Sequence, residues 1–321
     1  MTAPLLLVAL AVSAAAAGPL LRRGTWSDRS PRLGIFAWQA LTAAIVLSVV
    51  LAGAALAMPV MPTTGSLADF LQACALVLRA QYSTPGGAVL STAGATTAFL
   101  VLARVLYCLA AELLAARRDR RNQLGSLALI SDRDPVTGTL VVDHAVPAAY
   151  CLPGRRDEIV FTTAALDALD EEQRSAVLRH EQAHLRGRHH LVLSGADALT
   201  RAFPKVPVFV VARAEMGRLV ELIADDKAAA GGNNRLAVAT ALVRLAEAGG
   251  APASALAASG TATLVRVRRL AVPAAPLRGA RVALTVVASA AVLALPVGVA
   301  ATPAIASAQA QTCPVEFPQD P

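Results

Sequence analysis

Two histidines and a glutamate near the middle of the chain have the types and the spacing of a metal site. The residues are His180, Glu181 and His184, in the pattern H-E-x-x-H. On a helix, the two imidazoles would project from one face and could hold two corners of a tetrahedral zinc site. Glu181 lies one residue round the helix, where it could take a proton from a water molecule that the metal activates. The pattern predicts metal-assisted hydrolysis.

A third protein ligand is needed, and two residues are candidates. His190 completes the pattern H-E-x-x-H-x-x-G-x-x-H with Gly187 as the turn, which is typical of metzincins, and Met216 could be their Met-turn. Glu221 lies on a second helix-like stretch, and Asp225 follows one turn later on the same face, where it could accept a hydrogen bond from a ligating histidine. Because Met216 falls inside a helical pattern, we expect Glu221 to be the ligand, with His190 as the alternative.

Local signals define the elements that must position these residues. Asp170 is a plausible N-cap, and Gln173 completes a capping box at the start of the helix that carries the motif. The second stretch, from about Val208 to Ala230, has an apolar helical pattern. Upstream of both, three short apolar runs separated by turns predict a small antiparallel sheet. They are Leu140–Val142, Ala148–Leu152 and Ile159–Thr163.

The composition is that of a membrane protein. Hydrophobic residues make up 55% of the 321 residues and charged residues 16%, against roughly 45–50% and about 25% in soluble domains. This excludes a simple soluble enzyme, a disordered protein and a disulfide scaffold. Uncharged segments long enough to cross a bilayer are 2–21, 36–57 and 282–301. A further candidate, Ala88–Leu114, carries Arg104 and Glu112.

Basic residues set the expected orientation, because cytoplasmic loops carry an excess of Lys and Arg. They cluster in the 22–35 loop, directly after Leu114 and before residue 282. We therefore expect a multi-pass cell-membrane protein whose charged region is cytoplasmic and whose two termini are extracellular. The net charge of +7 is then a topology signal, and we expect no direct nucleic-acid binding.

The expected domains follow from this topology. They are a membrane region with three transmembrane helices (1–115), a cytoplasmic domain (116–280), a fourth transmembrane helix (281–302) and a short extracellular tail (303–321). The first segment is expected to be an uncleaved helix, because it lacks the positive n-region of a signal peptide. Cys74 and Cys313 fall on the same predicted outer side, and whether they pair is left open.

The layout and the motifs together resemble the BlaR/MecR family of integral-membrane zinc metallopeptidases, and the domain is similar to the HtpX and CAAX prenyl protease group. The resemblance implies a mainly α membrane fold: about four transmembrane helices, with an α+β zincin-like domain inserted between helices three and four. It also implies zinc ligation by His180, His184 and Glu221, with Glu181 as the catalytic base and Asp225 behind a ligating histidine. The residues that carry it are Ile159–Thr163, Leu169, Glu171, Glu172, Val177–His184 and Glu221–Asp225.

The resemblance also suggests how a substrate would bind. A strand containing Ala149, Tyr150 and Cys151 would edge the cleft, so that a protein substrate could add to it as an extra strand. The expected substrate is regulatory, such as a cytoplasmic transcriptional repressor. Family members that sense β-lactams carry a penicillin-binding domain with an S-x-x-K motif. This chain has no S-x-x-K, so we expect that sensor domain to be lacking.

Two other functions share the same features. One is a signal-transducing receptor whose zinc site is silent or structural, and the other is a quality-control peptidase for membrane proteins. The sequence does not identify the group that stabilises the reaction intermediate, for which Tyr150, His144 and several arginines have suitable chemistry. It also leaves the oligomeric state open.

Overall fold

The computed structural model describes residues 2–58, 82–154, 156–230, 234–248, 263–272 and 277–312, together with residues 72, 76, 79 and 275. Cys74 and Cys313, whose pairing was left open, lie outside the described residues. The helices are α1 (Thr2–Arg23), α2 (Trp26–Arg29), α3 (Pro31–Ala57), α4 (Pro85–Ile130), α5 (Thr163–Ala168), α6 (Glu171–Arg186), α7 (His189–Ala202), α8 (Pro207–Ala230), α9 (Arg235–Ala248), α10 (263–271) and α11 (Gly279–Thr312). The strands are β1 (Ser131–Arg133), β2 (Leu140–Val142), β3 (Ala149–Leu152) and β4 (Glu158–Thr162).

Four of the described helices are long and apolar enough to cross a membrane, and each contains one of the predicted segments. They are α1, α3, α4 and the Gly279–Pro303 part of α11. The prediction of a mainly helical chain with about four such helices and a small sheet is confirmed. Large apolar side chains along these helices are exposed, including Val12, Leu100 and Leu293. Such surfaces are what a helix presents to lipid.

The helix α4 is longer than the sequence analysis expected. The apolar segment was expected to end near Leu114, but the helix continues through the basic residues to Ile130. Residues 115–124 are mostly Ala, Arg, Leu, Gln and Asn, of which Ala, Arg, Leu and Gln are strong helix formers. Gly125, the one glycine after Leu114 in this helix, does not end it.

Contacts between Cα atoms divide the chain into two compact units. The first contains the described parts of residues 2–22, 37–107 and 283–312. In it, α3 and α4 approach closely at two glycines. A Cβ atom on Gly53 would lie 2.6 Å from the carbonyl oxygen of Gly94, and one on Gly94 would lie 2.6 Å from that of Gly53. Small residues at helix crossings permit this packing in membranes.

The second unit contains residues 23–36 and the described part of 108–282. Its sheet has the strand order β1-β2-β4-β3. The prediction of a wholly antiparallel sheet is wrong: β1–β2 and β3–β4 are antiparallel, but β2 and β4 are parallel, with Leu140 opposite Val160. The chain places β3 at the edge and returns with β4 between β2 and β3. Apolar runs show where strands are, but not the order in which they pair.

The helices of the second unit pack around α8. Its residues Leu219, Val220, Ala224 and Asp225 are almost fully buried, and α6 and α7 both pack against it. The predicted capping box at the start of α6 is confirmed: Gln173 N donates to Asp170 Oδ1 at 2.9 Å, and Asp170 N donates to Gln173 Oε1 at 3.2 Å. On its other sides, α6 packs against β3 and α9.

Candidate metal centre

Three side chains from α6 and α8 converge on one point. The Nε2 atoms of His180 and His184 lie 3.1 Å apart. Oε2 of Glu221 lies 3.4 Å from Nε2 of His180, and Oε1 of Glu221 lies 3.6 Å from Nε2 of His184. These three residues form a group that could hold a metal ion, with ligand atoms all within 4.8 Å of one another. Helical spacing aligns the histidines, and the packing of α8 on α6 brings the glutamate to them.

The separations fit a zinc ion. Zn–N and Zn–O bonds of about 2.0–2.1 Å in a tetrahedron place ligand atoms roughly 3.3 Å apart, close to the three observed distances. The donor set of two imidazoles and one carboxylate is one that catalytic zinc sites use. Zinc bound there would act as a Lewis acid and would activate water near neutral pH.

An arginine and an aspartate lie behind His180. The Nδ1 atom of His180 is 3.1 Å from Oδ1 of Asp225, a fully buried carboxylate. Arg266 donates to both oxygens of Asp225, from Nε at 2.8 Å and from Nη2 at 2.7 Å, and its Nη1 is 3.0 Å from Oε2 of Glu221. If a metal were bound, the hydrogen bond from Nδ1 of His180 to the Asp225 carboxylate would leave the lone pair of Nε2 free to ligate it.

His189 has the corresponding position behind His184. The two Nδ1 atoms lie 3.1 Å apart, and His189 is buried. It reaches this place because the helix breaks between α6 and α7: Arg188 has a φ of 47°, which is left-handed backbone. Gly187 lies directly under the ring, so that a Cβ atom there would be 2.3 Å from Nε2 of His189.

This close approach gives a testable prediction. Gly187→Ala must displace the imidazole of His189 and break its contact with His184. Loss of such a supporting hydrogen bond typically costs 10–100-fold in metal affinity, and we expect that loss in a zinc titration of the purified protein. The control is Gly195→Ala in α7, where a Cβ atom would meet nothing within 4 Å. Equal zinc affinity of the two variants would contradict the role of His189.

The pKa values of the two histidines move in opposite directions. Burial opposes a charge on His180, but its hydrogen bonds to Asp225 and Glu221 raise the pKa of this imidazole to about 9. Burial and the charge of His180 lower the pKa of His184 to about 4. The paired imidazoles thus hold one positive charge between them, next to the Glu221 carboxylate, in the place that a divalent cation would take.

Glu181 lies beside this cluster and has a different environment. Burial raises its pKa, against the opposing effects of the His180 charge and of a hydrogen bond with Cys151. A carboxyl whose pKa is raised towards neutrality suits a general base that also returns its proton. Glu181, His180, Glu221 and Arg266 line a cavity of about 210 Å³, together with apolar side chains of α6 and α9.

The alternative third ligand lies elsewhere. His190 lines a separate cavity next to α4, and its buried Nδ1 atom has no hydrogen-bond partner among the residues that the structure describes. Met216 is buried inside α8, so it does not form a turn. Among the described residues, the group that could hold a metal contains Glu221 and not His190.

The strand β3 divides its three predicted binding residues between two faces. Ala149 lines the site cavity, and the Cys151 thiol forms a hydrogen bond with Glu181; burial, followed by the Glu181 charge, raises the pKa of this thiol to about 12. Tyr150, between them, points to the other face and is 38% exposed. His144 accepts a hydrogen bond from Val146 N within its own loop.

Sequence reasoning missed two of these residues. Arg266 belongs to the basic cluster before residue 282, and no local spacing connects it with Glu221. The motif analysis gave His189 no role, but this residue opens α7 and contacts His184. The sequence does contain a signal for this contact, because His189 follows His184 by five residues with Gly187 between them.

In a comparison with known families, residues 115–204 match peptidase family M48. This is a family of metallopeptidases, generally zinc-dependent, and the match includes His180, Glu181 and His184 but ends before Glu221. Comparisons with curated proteins and with solved structures found no match. The family match and the apolar helices together indicate a membrane metallopeptidase.

Proposed function

We propose that this protein is an integral-membrane zinc endopeptidase of the BlaR/MecR type, which cleaves a regulatory protein at the cytoplasmic face. The observation that carries the proposal is the site itself: two histidines and a glutamate at zinc-ligand separations, with Glu181 beside them in an accessible cavity. The arginines that flank the apolar helices support a cytoplasmic catalytic domain, between the third and fourth membrane helices at residues 116–280.

The chain's own residues support a sequence of steps. Arg266, Asp225 and His189 hold the ligands in orientation, so that little rearrangement is needed when the metal binds. Glu181 accepts a proton from the attacking water and returns it to the leaving amine. Burial opposes a charge on Glu221, but its hydrogen bond to His180 and the charge of Arg266, which also lines this cavity, lower the pKa of this carboxyl.

The edge position of β3 supports binding of an extended substrate. This strand pairs with β4 on one side only among the described strands, and Ala149 lines the site cavity. A peptide that added to its free edge would receive main-chain hydrogen bonds from β3 and would pass the catalytic residues on α6. The side chains of Tyr150 and Cys151 would then lie next to the peptide on opposite faces of the sheet.

The site favours catalysis over a structural zinc. Structural zinc sites are normally closed by four protein ligands, whereas the described residues offer three. The fourth position would be open to water and substrate, and Glu181 occupies the place of a base. A silent receptor would need neither feature.

Substrate trapping tests the proposal and separates it from quality control. The Glu181→Gln variant should bind substrate without cleaving it, so crosslinking in cells should recover trapped proteins. We expect one predominant repressor-like protein, which is absent when Glu221→Ala is added to remove the metal. A broad set of misfolded membrane proteins would instead indicate a quality-control peptidase, and a variant that traps nothing while wild type cleaves nothing would indicate a silent receptor.

A further inference from the structure

A large basic cavity lies in the second unit, separate from the metal centre. Its volume is about 1160 Å³, and it shares no lining residue with the cavity around His180 and Glu181. It is formed by the part of α4 that follows the apolar segment, the loop between β3 and β4, and the start of α7. Its described cationic and imidazole residues are Arg117, Arg120, Arg121, Arg156, Arg188 and His190.

The arginines of this cavity outnumber its acidic residues. Five arginines line it with Asp157 and Glu158, and Glu158 already pairs with Arg133 at 2.9 Å, so the described lining keeps a net positive charge. In the part of the chain that the structure describes, the Arg117 and Arg121 side chains form no hydrogen bond or ion pair. Unpaired guanidinium groups that converge on one cavity favour an anionic ligand, above all a phosphate.

His190 also lines this cavity. Its Nδ1 atom is buried and has no hydrogen-bond partner among the described residues, which is uncommon for a buried polar atom. Burial and the charges of Arg120 and Arg188, against the opposing charge of Asp157, lower the pKa of this imidazole. The lowered pKa favours the neutral ring, so the arginines carry the positive charge of the cavity.

The position on α4 indicates the source of the anion. Counting 1.5 Å per residue, Arg117 and Arg121 lie roughly 5 and 10 Å beyond Leu114, where the apolar segment ends. The headgroup layer extends about 5–8 Å beyond the hydrocarbon on each side. Arg117 lies within this layer, and Arg121 lies just beyond it, from where its long side chain can extend back towards the phosphates. Part of the cavity wall is apolar: Leu113, Leu124, Leu185 and Leu191. Phosphate-binding groups next to an apolar wall at this depth match a lipid better than a free ion.

We propose that this cavity binds the phosphate of an anionic phospholipid, with the arginines on the headgroup and the leucines against the first carbons of the acyl chains. The proposal rests on the proposed membrane crossing of α4, but not on peptidase activity. Bound lipid would connect α4 with the start of α7, the helix that also carries His189.

The experiment compares lipid binding by the purified full-length protein in nonionic detergent. The probes are fluorescent phosphatidylglycerol, phosphatidylcholine of equal chain length, and inorganic phosphate as a competitor. The test variant is Arg117→Gln/Arg121→Gln. The control is Arg29→Gln/Arg118→Gln, which removes the same charge from two exposed arginines outside the cavity, one of them on the same helix. Zinc content and the circular dichroism spectrum check that each variant is folded.

Wild type should bind phosphatidylglycerol more tightly than phosphatidylcholine. A hydrogen bond between a guanidinium and a phosphate contributes roughly tenfold in affinity, so the test variant should bind phosphatidylglycerol at least roughly tenfold more weakly, while the control, whose arginines lie outside the cavity, changes less than about twofold. If the double variant does not fold, Arg117→Gln alone should weaken binding roughly tenfold.

Each of four results would overturn the proposal. Equal weakening in the control would mean diffuse surface attraction, and equal affinity of the two lipids would mean that net charge plays no part. Full displacement of the lipid by millimolar inorganic phosphate would identify a free-phosphate site. If the wild-type protein bound no phosphatidylglycerol but retained peptidase activity, this inference would be refuted and the proposed function would stand; lipid binding by a wild type without peptidase activity would do the opposite.

Discussion

Glu181→Gln is expected to abolish peptide cleavage while the protein keeps its zinc. The glutamate is not among the three residues whose atoms converge at the metal position, so its amide analogue should leave the ligand set complete. An amide cannot accept the proton of the attacking water, and loss of a general base typically lowers the rate 10²–10⁴-fold. Cleavage of fluorescent casein and zinc content by mass spectrometry measure the two effects separately.

A matched control is available on the same helix. Glu171→Gln makes the same chemical change at a side chain that is 94% exposed, and it should retain both activity and zinc. Undiminished cleavage by Glu181→Gln would refute the catalytic role of this residue. Loss of zinc from Glu181→Gln would instead mean that Glu181 is itself a ligand.

The second large effect is expected for Glu221→Ala, which should strip zinc from the protein. If the three ligands contribute comparably, removal of one from a site of about 10–16 kcal/mol should weaken zinc binding on the order of 10²–10⁴-fold. Glu221→Gln is the companion variant, because it keeps the shape next to Arg266 and so controls for local misfolding. A zinc titration followed by equilibrium dialysis measures both.

His190→Ala tests the alternative ligand in the same assay. Its ring lines the cavity next to α4 and not the metal position, so this variant should keep its zinc. If His190→Ala lost zinc while Glu221→Ala retained it, the metzincin arrangement would be established and the assignment of Glu221 would be wrong.

The support for the metal ligands makes the site rigid before any metal binds. Arg266 contacts Asp225 and Glu221 at once, and its neighbour Arg269 donates to both oxygens of Asp226 at 2.8 Å. The helix 263–271 is therefore tied to α8 by two adjacent arginine–aspartate pairs. Because both pairs are partly or fully buried, this attachment is less sensitive to salt than exposed ion pairs are.

The sequence by itself determined the features that depend on neighbours within one or two helical turns. The spacing of His180 and His184 places both rings on one face of any helix, and the same holds for Glu221 and Asp225. The capping box of Asp170 and Gln173 and the apolar membrane-length segments are equally local. These features were predicted correctly because the helical repeat and side-chain hydrophobicity alone produce them.

Only the tertiary structure decided which distant residues meet. The choice between Glu221 and His190 depends on how α8 packs against α6 and on the left-handed break at Arg188, which turns His189 towards His184 and His190 away. The parallel pairing of β2 with β4 and the approach of Arg266 to Asp225 likewise join segments that are far apart in the chain. Such contacts result from the packing of whole helices and strands. The spacing of residues within one segment does not indicate which distant segment it will contact.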